Sequence, residues 1–304
     1  MPPAAPKSSC LLHLRAPAGT VEDSVDVFAY DPDRDNRIDS YSRIPLRQTA
    51  ELTLTTGRKR LVVLAGMDVS TLTYADIATL ESLGSVCARL EKENPLRPVL
   101  SGTVETEPGV RPRAELTLEP LMTRIHVASL RADFSGQPYA GAVLEHIRIY
   151  LTNVCCTCPL LEQDRHPSLQ FCNYGRLDEE ELLRFAQPSM LLCDVPGQIG
   201  ATARPVDALL YCYPNQETQE GPGTPFTRLV IECLIGGERF YYPFNLGRTA
   251  GYGEGVVRNR SYRMDITLRR LGSRDPDTVV EPQDVGILLQ WEDWKEIEEK
   301  YESF

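Results

Sequence analysis

The sequence of 304 residues lacks any apolar run long enough to cross a membrane as a helix. It also lacks a dense tract of lysine or arginine, and its 43 acidic residues outnumber its 32 basic ones, for a net charge of −11. A chain of this sign repels the phosphates of nucleic acids. These absences argue against a helical membrane protein and against a partner that is a nucleic acid.

Residues that commonly carry catalysis are also scarce. The four histidines are His13, His126, His146 and His166, and no two have the spacing of a helical metal site. No GxSxG nucleophile turn occurs, and the glycine-rich segment 251–255 leads into a predicted strand, whereas a dinucleotide-binding turn opens a helix. We therefore predict that the protein is not an enzyme and that it binds no cofactor.

An acidic segment, 31–42, superficially resembles a calcium-binding EF-hand loop. Its sixth position is Asn36 where the loop needs glycine, and its twelfth is Ser42 where the loop needs a bidentate glutamate. Without the sharp turn and the bidentate ligand the set of ligands is incomplete. We predict a solvated connection between strands and no bound metal.

The nine cysteines are an odd number, so at least one stays unpaired if the others form bridges within the chain. Four of them cluster in the sequence: Cys155, Cys156, Cys158 and Cys172. Their C-C-x-C spacing fits zinc poorly, because zinc knuckles present pairs as C-x-x-C. Disulfides and free structural thiols both remain open for this cluster. Cys212 and Cys233 lie in apolar runs and are interpreted as core residues.

Twenty-one glycines and 23 prolines separate short apolar runs, a pattern typical of strands joined by turns. The strands are predicted at 11–14, 24–30, 60–65, 114–118, 124–130, 144–151, 208–213, 227–235, 239–244 and 256–268. Gly236 and Gly237 form a two-residue hairpin turn between two of them. The sequence thus predicts an all-β protein of β-sandwich architecture.

Two helices are expected among these strands. The first spans 73–92, with Thr73 as its cap, Asp76 near its positive end, and one apolar stripe that docks on its own sheet. The second is a short acidic helix at 178–185. The length suits two domains of about 150 residues. We place them at 1–152 and 153–304, with the irregular segment 155–171 between them.

Several segments taken together resemble the fimbrillin family of Bacteroidales type V pili. In the second half they are YCYPN at 211–215, TRLVIE at 227–232, YYPF at 241–244, VRNRSYRMDI at 257–266, LGSRDPD at 271–277 and WEDW at 291–294. In the first half they are VFAYD at 27–31, LSG at 100–102 and LMTRI at 121–125. The resemblance covers nearly the whole chain and implies two tandem transthyretin-like, that is Ig-like, β-sandwich domains.

The resemblance also implies a function, that of a structural subunit of a bacterial surface pilus that mediates adhesion. A stalk or tip subunit is favoured over an anchor. The expected location is the extracellular fimbrium, with attachment to the outer membrane as a lipoprotein precursor whose signal peptide precedes this numbering. The expected partners are neighbouring pilin subunits, in a homo- or heteropolymer, and a glycan or protein receptor on a host or bacterial surface. The alternative is a surface carbohydrate-binding or adhesin lipoprotein that never polymerises, or a pilus anchor.

The assembly mechanism that the resemblance implies is donor-strand exchange, in which a protease removes the first strand of one subunit and a terminal strand of another fills the groove. We predict an arginine-specific cut between Arg15 and Ala16, because Arg15 follows the first predicted strand and precedes a flexible Ala-Pro-Ala-Gly turn. An ordinary surface arginine is the alternative interpretation.

The predicted donor strand is 284–294, near the carboxyl terminus. Val285, Ile287, Leu289 and Trp291 fall on one face at period two, as a strand that fills a groove requires. Leu288 and Trp294 lie on the other face. The alternative is an ordinary last strand of the second sandwich, followed by an acidic tail at 295–304.

Overall fold

The structure is a computed structural model, and it describes residues 6–17, 20, 22–46, 49–110, 113–161, 170–248, 254–280 and 285–294. Strands dominate these residues, and the helices are short. The all-β fold class predicted from the sequence is confirmed.

The first half forms two facing sheets, whose hydrogen-bonded orders are β3-β2-β5-β7-β9 and β4-β1-β8. The strands are β1 (Lys7–Arg15), β2 (Ser24–Asp31), β3 (Arg37–Pro45), β4 (Thr49–Thr55), β5 (Lys59–Ala65), β6 (Cys87–Arg89), β7 (Leu100–Thr106), β8 (Arg113–Thr117) and β9 (Glu119–Pro120). Alternate side chains of both sheets, among them Leu12, Val27 and Val63, meet in one buried cluster. The period of two along each strand places these residues on the inner faces.

The second half forms another facing pair, with orders β16-β10-β19-β20 and β15-β11-β17-β18. The strands are β10 (Thr123–Ala132), β11 (Glu145–Thr152), β12 (Val154–Cys155), β13 (Thr157–Pro159), β14 (Phe171–Cys172), β15 (Leu192–Val195), β16 (Arg204–Cys212), β17 (Arg228–Ile235), β18 (Glu238–Asn245), β19 (Arg260–Leu268) and β20 (Val285–Asp293). Gly236 and Gly237 join β17 to β18 with φ values of 59° and 82°, the left-handed backbone that a type I′ hairpin turn needs.

Strand pairing does not follow the predicted division at residues 152 and 153. Strands β10 and β11 precede that point, yet β10 pairs with β16 and β19, and β11 pairs with β15 and β17. The sheets therefore separate between β9 and β10. A sequence pattern shows that a segment is a strand, but the partner of that strand is decided by contacts made far along the chain.

The prediction of one continuous helix at 73–92 is wrong. The segment forms two short helices, α1 (Tyr74–Ile77) and α2 (Leu80–Ser85), followed by β6. Thr73 is the N-cap of α1, as predicted, and its backbone N–H donates to the Asp76 carboxylate at 2.7 Å. Thr79, however, starts a second helix with Ser82 as its partner. Strand β6 then pairs with β13. The acidic helix exists in shorter form as α3 (Glu179–Leu182), capped by Asp178.

The five-stranded sheet is covered on both faces. Its other face presents Phe28, Tyr30, Val62 and Leu64, which pack against Leu83 and other residues of a cluster that continues into the second pair of sheets. For this reason β2 and β5 are buried along almost their whole length. The apolar stripe of the helical segment docks on its sheet, as predicted, in spite of the break between α1 and α2.

A buried carboxyl links the two halves of the chain. Glu93, which follows the β6 segment, accepts hydrogen bonds from the Tyr213 hydroxyl at 2.8 Å and from the Val99 backbone N–H at 3.1 Å. Tyr213 directly follows β16 and is fully buried. Burial raises the pKa of Glu93 to about 7, although these hydrogen bonds oppose the shift.

This carboxyl predicts a specific pH dependence of stability. Because the pKa of Glu93 is higher in the folded state than in the unfolded state, its contribution is fully present below about pH 4.5 and is lost as the pH rises through about 7. A shift of this size corresponds to about 3 kcal/mol in the free energy of unfolding. Substitution of Glu93→Gln should remove that pH-dependent contribution.

Urea unfolding at a series of pH values from 5 to 8 measures the difference between the variant and the unmodified chain. That difference should change across this range. Glu81→Gln, on the exposed side of α2, is the control and should give a constant difference. A constant difference for Glu93→Gln as well would contradict the assignment.

Candidate assembly site

Strand β1 lies in the middle of the three-stranded sheet of the first sandwich. It pairs antiparallel with β4, from Lys7 opposite Thr55 to His13 opposite Thr49, and parallel with β8 along its second half. Strand β8 has no other strand partner among the described residues. Both neighbours of β1 therefore depend on it for backbone hydrogen bonds.

The inner face of β1 fills a groove between the two sheets. Cys10 and Leu12 are fully buried and Leu14 is 5% exposed, whereas Leu11 and His13 on the outer face are only half-buried. The walls of the groove are formed by the inward residues of the neighbouring strands: Leu52, Leu54, Ala114 and Leu116. Loss of β1 would expose this apolar surface together with two unpaired strand edges.

Arg15 ends β1, with its side chain 76% exposed. Its ion pair with Glu115, at 3.5 Å and equally exposed, contributes little because solvent screens it. The Arg15 carbonyl accepts the Leu118 backbone N–H at 2.7 Å, and Ala16 packs against the sandwich core. The predicted cut between Arg15 and Ala16 thus falls at an exposed side chain on a backbone that must fray before a protease can bind it. Ala18 and Gly19 of the predicted turn lie outside the described residues.

Strand β20 is the predicted donor segment, apart from Asp284, which is outside the described residues. It pairs antiparallel with β19 at the edge of its sheet. Val285 is buried, Ile287 and Leu289 pack partly against the core, and Trp291 is 41% exposed. On the other face Leu288 is 61% exposed. The predicted alternation is therefore present, and its burial weakens towards the end of the strand.

Aromatic contacts fasten the end of β20 to its own sheet. The Arg260 guanidinium lies 4.1 Å from the centroid of the Trp291 ring. Trp294 packs against Tyr211, with 5.6 Å between ring centroids, and its backbone N–H donates to Asn259 at 2.8 Å. Release of β20 would have to break these contacts as well as the ladder with β19. The acidic tail at 295–304 lies outside the described residues.

Sequence reasoning missed strand β4, which forms one wall of the groove. Its sequence TAELTLT alternates Ala50, Leu52 and Leu54 with polar residues, and this period of two could have identified it. Strands β3, β7 and β15 were missed too; β3 carries many polar residues, and β15 is short.

The other candidate sites are occupied by protein contacts. In the EF-hand-like segment, Asp31 pairs with Lys59 at 3.2 Å and Asp33 pairs with Arg58. His126 lies 3.3 Å from Asp207, and His13 lies 3.0 Å from the Thr49 hydroxyl. Within the described ranges no group of three metal-ligating side chains converges, and no helix is both long and apolar enough to cross a membrane. His166 and residues 251–253 lie outside those ranges.

The fold is shared with solved structures of fimbrial and adhesion proteins. A candidate cell-adhesion protein from Bacteroides eggerthii matches with a TM-score of 0.69 and 14% identity, over 95% of this chain and 97% of that one. A fimbrilin from Porphyromonas gingivalis matches with a TM-score of 0.64 and 11% identity, over 95% and 97%. The tip fimbrial protein Mfa3 from the same organism matches with a TM-score of 0.57 and 14% identity, over 95% and 100%.

No protein-family model matches the sequence, and no curated protein matches it. At these identities the structural likeness shows the fold. The resemblance to fimbrillins that the sequence indicated is therefore confirmed at the level of the fold, across nearly the whole chain.

The inner and outer faces of β1 predict different costs of truncation. Leu12→Ala should lower the free energy of unfolding by about 2–5 kcal/mol, because it leaves a cavity in the groove. Leu11→Ala, the adjacent residue on the other face, is the matched control and should cost about 1 kcal/mol or less. Urea unfolding measures both. Equal losses would contradict the placement of β1 in the groove.

Proposed function

We propose that the chain is a stalk or tip subunit of a bacterial surface pilus, assembled by donor-strand exchange after proteolysis and acting in adhesion. The observation that carries the proposal is the central position of β1, whose removal leaves an open groove between β4 and β8. An open sheet with apolar walls is repaired only by a strand of matching pattern. The fold shared with a fimbrilin and a tip fimbrial protein supports the same function.

In this proposal an arginine-specific protease cuts between Arg15 and Ala16 and releases β1. The cut leaves the first sandwich without Cys10, Leu12 and Leu14, the buried side chains of that strand. Burial of three such side chains contributes on the order of 5 kcal/mol to stability. The opened subunit therefore gains a similar free energy when another strand fills the groove. Because Arg15 also holds Leu118 through its carbonyl, cleavage loosens the end of β8.

Strand β20 is the donor in this proposal. Among the described residues it has one strand neighbour, whereas β1 has two, and its apolar face is only partly covered in its own sheet. Ile287 and Leu289 would become more buried in the groove than they are at the edge of their own sheet. Both strands are nine residues long, and the alternation Val285, Ile287, Leu289, Trp291 parallels Ser8, Cys10, Leu12, Leu14. A slip of one residue would turn these side chains to the wrong face.

Complete burial of four such side chains contributes on the order of 6–12 kcal/mol before the entropy of ordering is subtracted. Part of this free energy is already gained where β20 packs against β19 in its own sheet. Only the additional burial in the groove therefore drives the exchange. The binding partners in this proposal are neighbouring pilin subunits and a glycan or protein receptor on a host or bacterial surface. Export as a lipoprotein precursor and display on the outer membrane belong to the same proposal.

Cleavage after Arg15 can be tested with a single substitution. In Arg15→Ala the arginine-specific protease should no longer release β1, and the treated protein should stay monomeric on a gel, while the unmodified chain forms a ladder of multimers. Arg274→Ala, at another exposed arginine whose side chain is 59% exposed, is the matched control and should still assemble. Assembly of Arg15→Ala to the level of the control would refute this cleavage site.

The role of β20 can be tested by deletion of residues 284–304. Since β20 lies at a sheet edge, the shortened chain should remain folded by circular dichroism, and protease treatment should yield no multimers. Multimers from the shortened chain would rule out β20 as the donor. A chain that unfolds outright would identify β20 as an ordinary last strand.

A pair of substitutions on opposite faces of β20 refines this test. After protease treatment, Leu289→Asp should abolish multimers because the charge would enter the groove, and Leu288→Asp should leave them unchanged because that side chain faces solvent. Equal assembly of the two variants would contradict the predicted register.

A further inference from the structure

All nine cysteines lie in the part of the chain that the structure describes, and none of them forms a disulfide there. The question left open by the sequence is which pair, if any, is placed to form one. Strands β12 and β14 bring cysteines close together, because they pair antiparallel and each ends at a cysteine, Cys155 in β12 and Cys172 in β14.

The register of β12 and β14 places Val154 opposite Cys172 and Cys155 opposite Phe171. The chain bends at Cys156, just beyond the paired residues, and the Cys156 backbone N–H donates to the Gln170 carbonyl at 2.7 Å. In this register Cys156 is the diagonal neighbour of Cys172, and the thiols of both approach one atom of β12, the Val154 carbonyl oxygen. The strong twist of a two-stranded ribbon brings one such diagonal pair together.

The thiols of this pair lie close together. Both donate to the same acceptor, the Val154 carbonyl, from 3.7 Å for Cys156 Sγ and from 3.5 Å for Cys172 Sγ. The neighbouring Cys156 thiol is the first cause, and burial the second, that raises the pKa of the Cys172 thiol. Cys156 is half-buried, so a soluble oxidant can reach it, while Cys172 is buried behind it.

We propose that Cys156 and Cys172 form an intrachain disulfide when the protein meets a disulfide oxidant. The Cys156 thiolate attacks one sulfur of glutathione disulfide, which forms a mixed disulfide and releases one glutathione thiolate. The Cys172 thiolate then attacks the Cys156 sulfur, and the second glutathione thiolate leaves. Two cysteine thiols are oxidised, one glutathione disulfide is reduced to two glutathione thiols, and the two cysteine protons end on those thiols.

The other cysteines are placed less well for this reaction. Cys155 is fully buried, which raises its pKa, and Cys212 is the thiol that most affects that pKa. Cys158 lies on β13, opposite Ala88, and its Sγ contacts the Pro159 carbonyl at 3.5 Å. A disulfide between Cys156 and Cys172 would fasten β12 to β14 beside two hydrogen bonds, from the Asn153 backbone N–H to the Asn173 carbonyl and from the Asn173 side-chain amide to the Leu151 carbonyl.

The test uses the full chain, reduced and then exposed to glutathione disulfide at pH 8 in its folded state. Titration should show the loss of two of the nine thiols, and a tryptic digest without reductant should contain peptide 149–165 linked to peptide 166–176. Because the first peptide holds three cysteines, the variants assign the bond. Cys156→Ala and Cys172→Ala should abolish the link, and Cys155→Ala, the matched control one residue away, should retain it.

Two further readouts separate this site from incidental oxidation. The oxidised chain should melt about 5 °C higher than the reduced one, since closure of a loop of about 15 residues restricts the unfolded chain, and Cys156→Ala should lose that shift. The mixed disulfide should persist longer at pH 6.5 than at pH 8, because Cys172 must lose its proton. A link from Cys155 to Cys212, or no loss of thiols in the folded protein, would overturn the proposal. None of these readouts depends on pilus assembly.

Discussion

The burial of the five-stranded sheet on both of its faces is the constraint on which the rest of the structure depends. One face closes the first sandwich with β1, and the other packs against the helical segment and the cluster that continues into the second pair of sheets. A sheet with two apolar faces cannot be stable in water unless both are covered. The helical segment 74–92, the Glu93 carboxyl and the second pair of sheets are therefore parts of one arrangement.

Within that arrangement the two strands proposed for exchange occupy opposite situations. Strand β1 lies between two strands and its inner side chains fill the groove, while β20 has one strand neighbour in the part of the chain that the structure describes and a face that is only partly covered. The contrast follows from position in the sheet, since an edge strand leaves half of its backbone groups to solvent. The side chains increase this contrast between β1 and β20, because Leu12 of β1 is fully buried and Leu288 of β20 is largely exposed.

The sequence was informative where local pattern decides structure. Short apolar runs bounded by turn residues located β2, β5, β17 and β18, and the paired glycines at 236 and 237 located the turn between β17 and β18. It also located the face shared by Val285, Ile287 and Leu289, because a period of two needs no knowledge of a partner. These features depend on a few neighbouring residues and can be read without tertiary contacts.

What the sequence could not supply was decided by distant contacts. The continuous helix at 73–92 failed because Thr79 and Ser82 form a second cap and because Cys87 and Ala88 find a strand partner in β13. The division at 152 failed to match the sheets because β10 and β11 are completed by strands that follow it. In the same way, no local pattern could show that the thiols of Cys156 and Cys172 approach the same carbonyl, that of Val154.

The position of β10 has a consequence for the order in which the chain can fold. Its pairing with β19 joins residues as far apart as Arg124 and Ser261, a separation of 137 along the chain, and the pairing is parallel. Long-range parallel pairing is slow to form, because a large loop must close before any contact is gained. During synthesis β10 emerges long before either of its neighbours. The four-stranded sheet that contains β10 must therefore wait for the last strands of the chain, and a chain that ends before β16 leaves the apolar strand β10 without either of its strand partners.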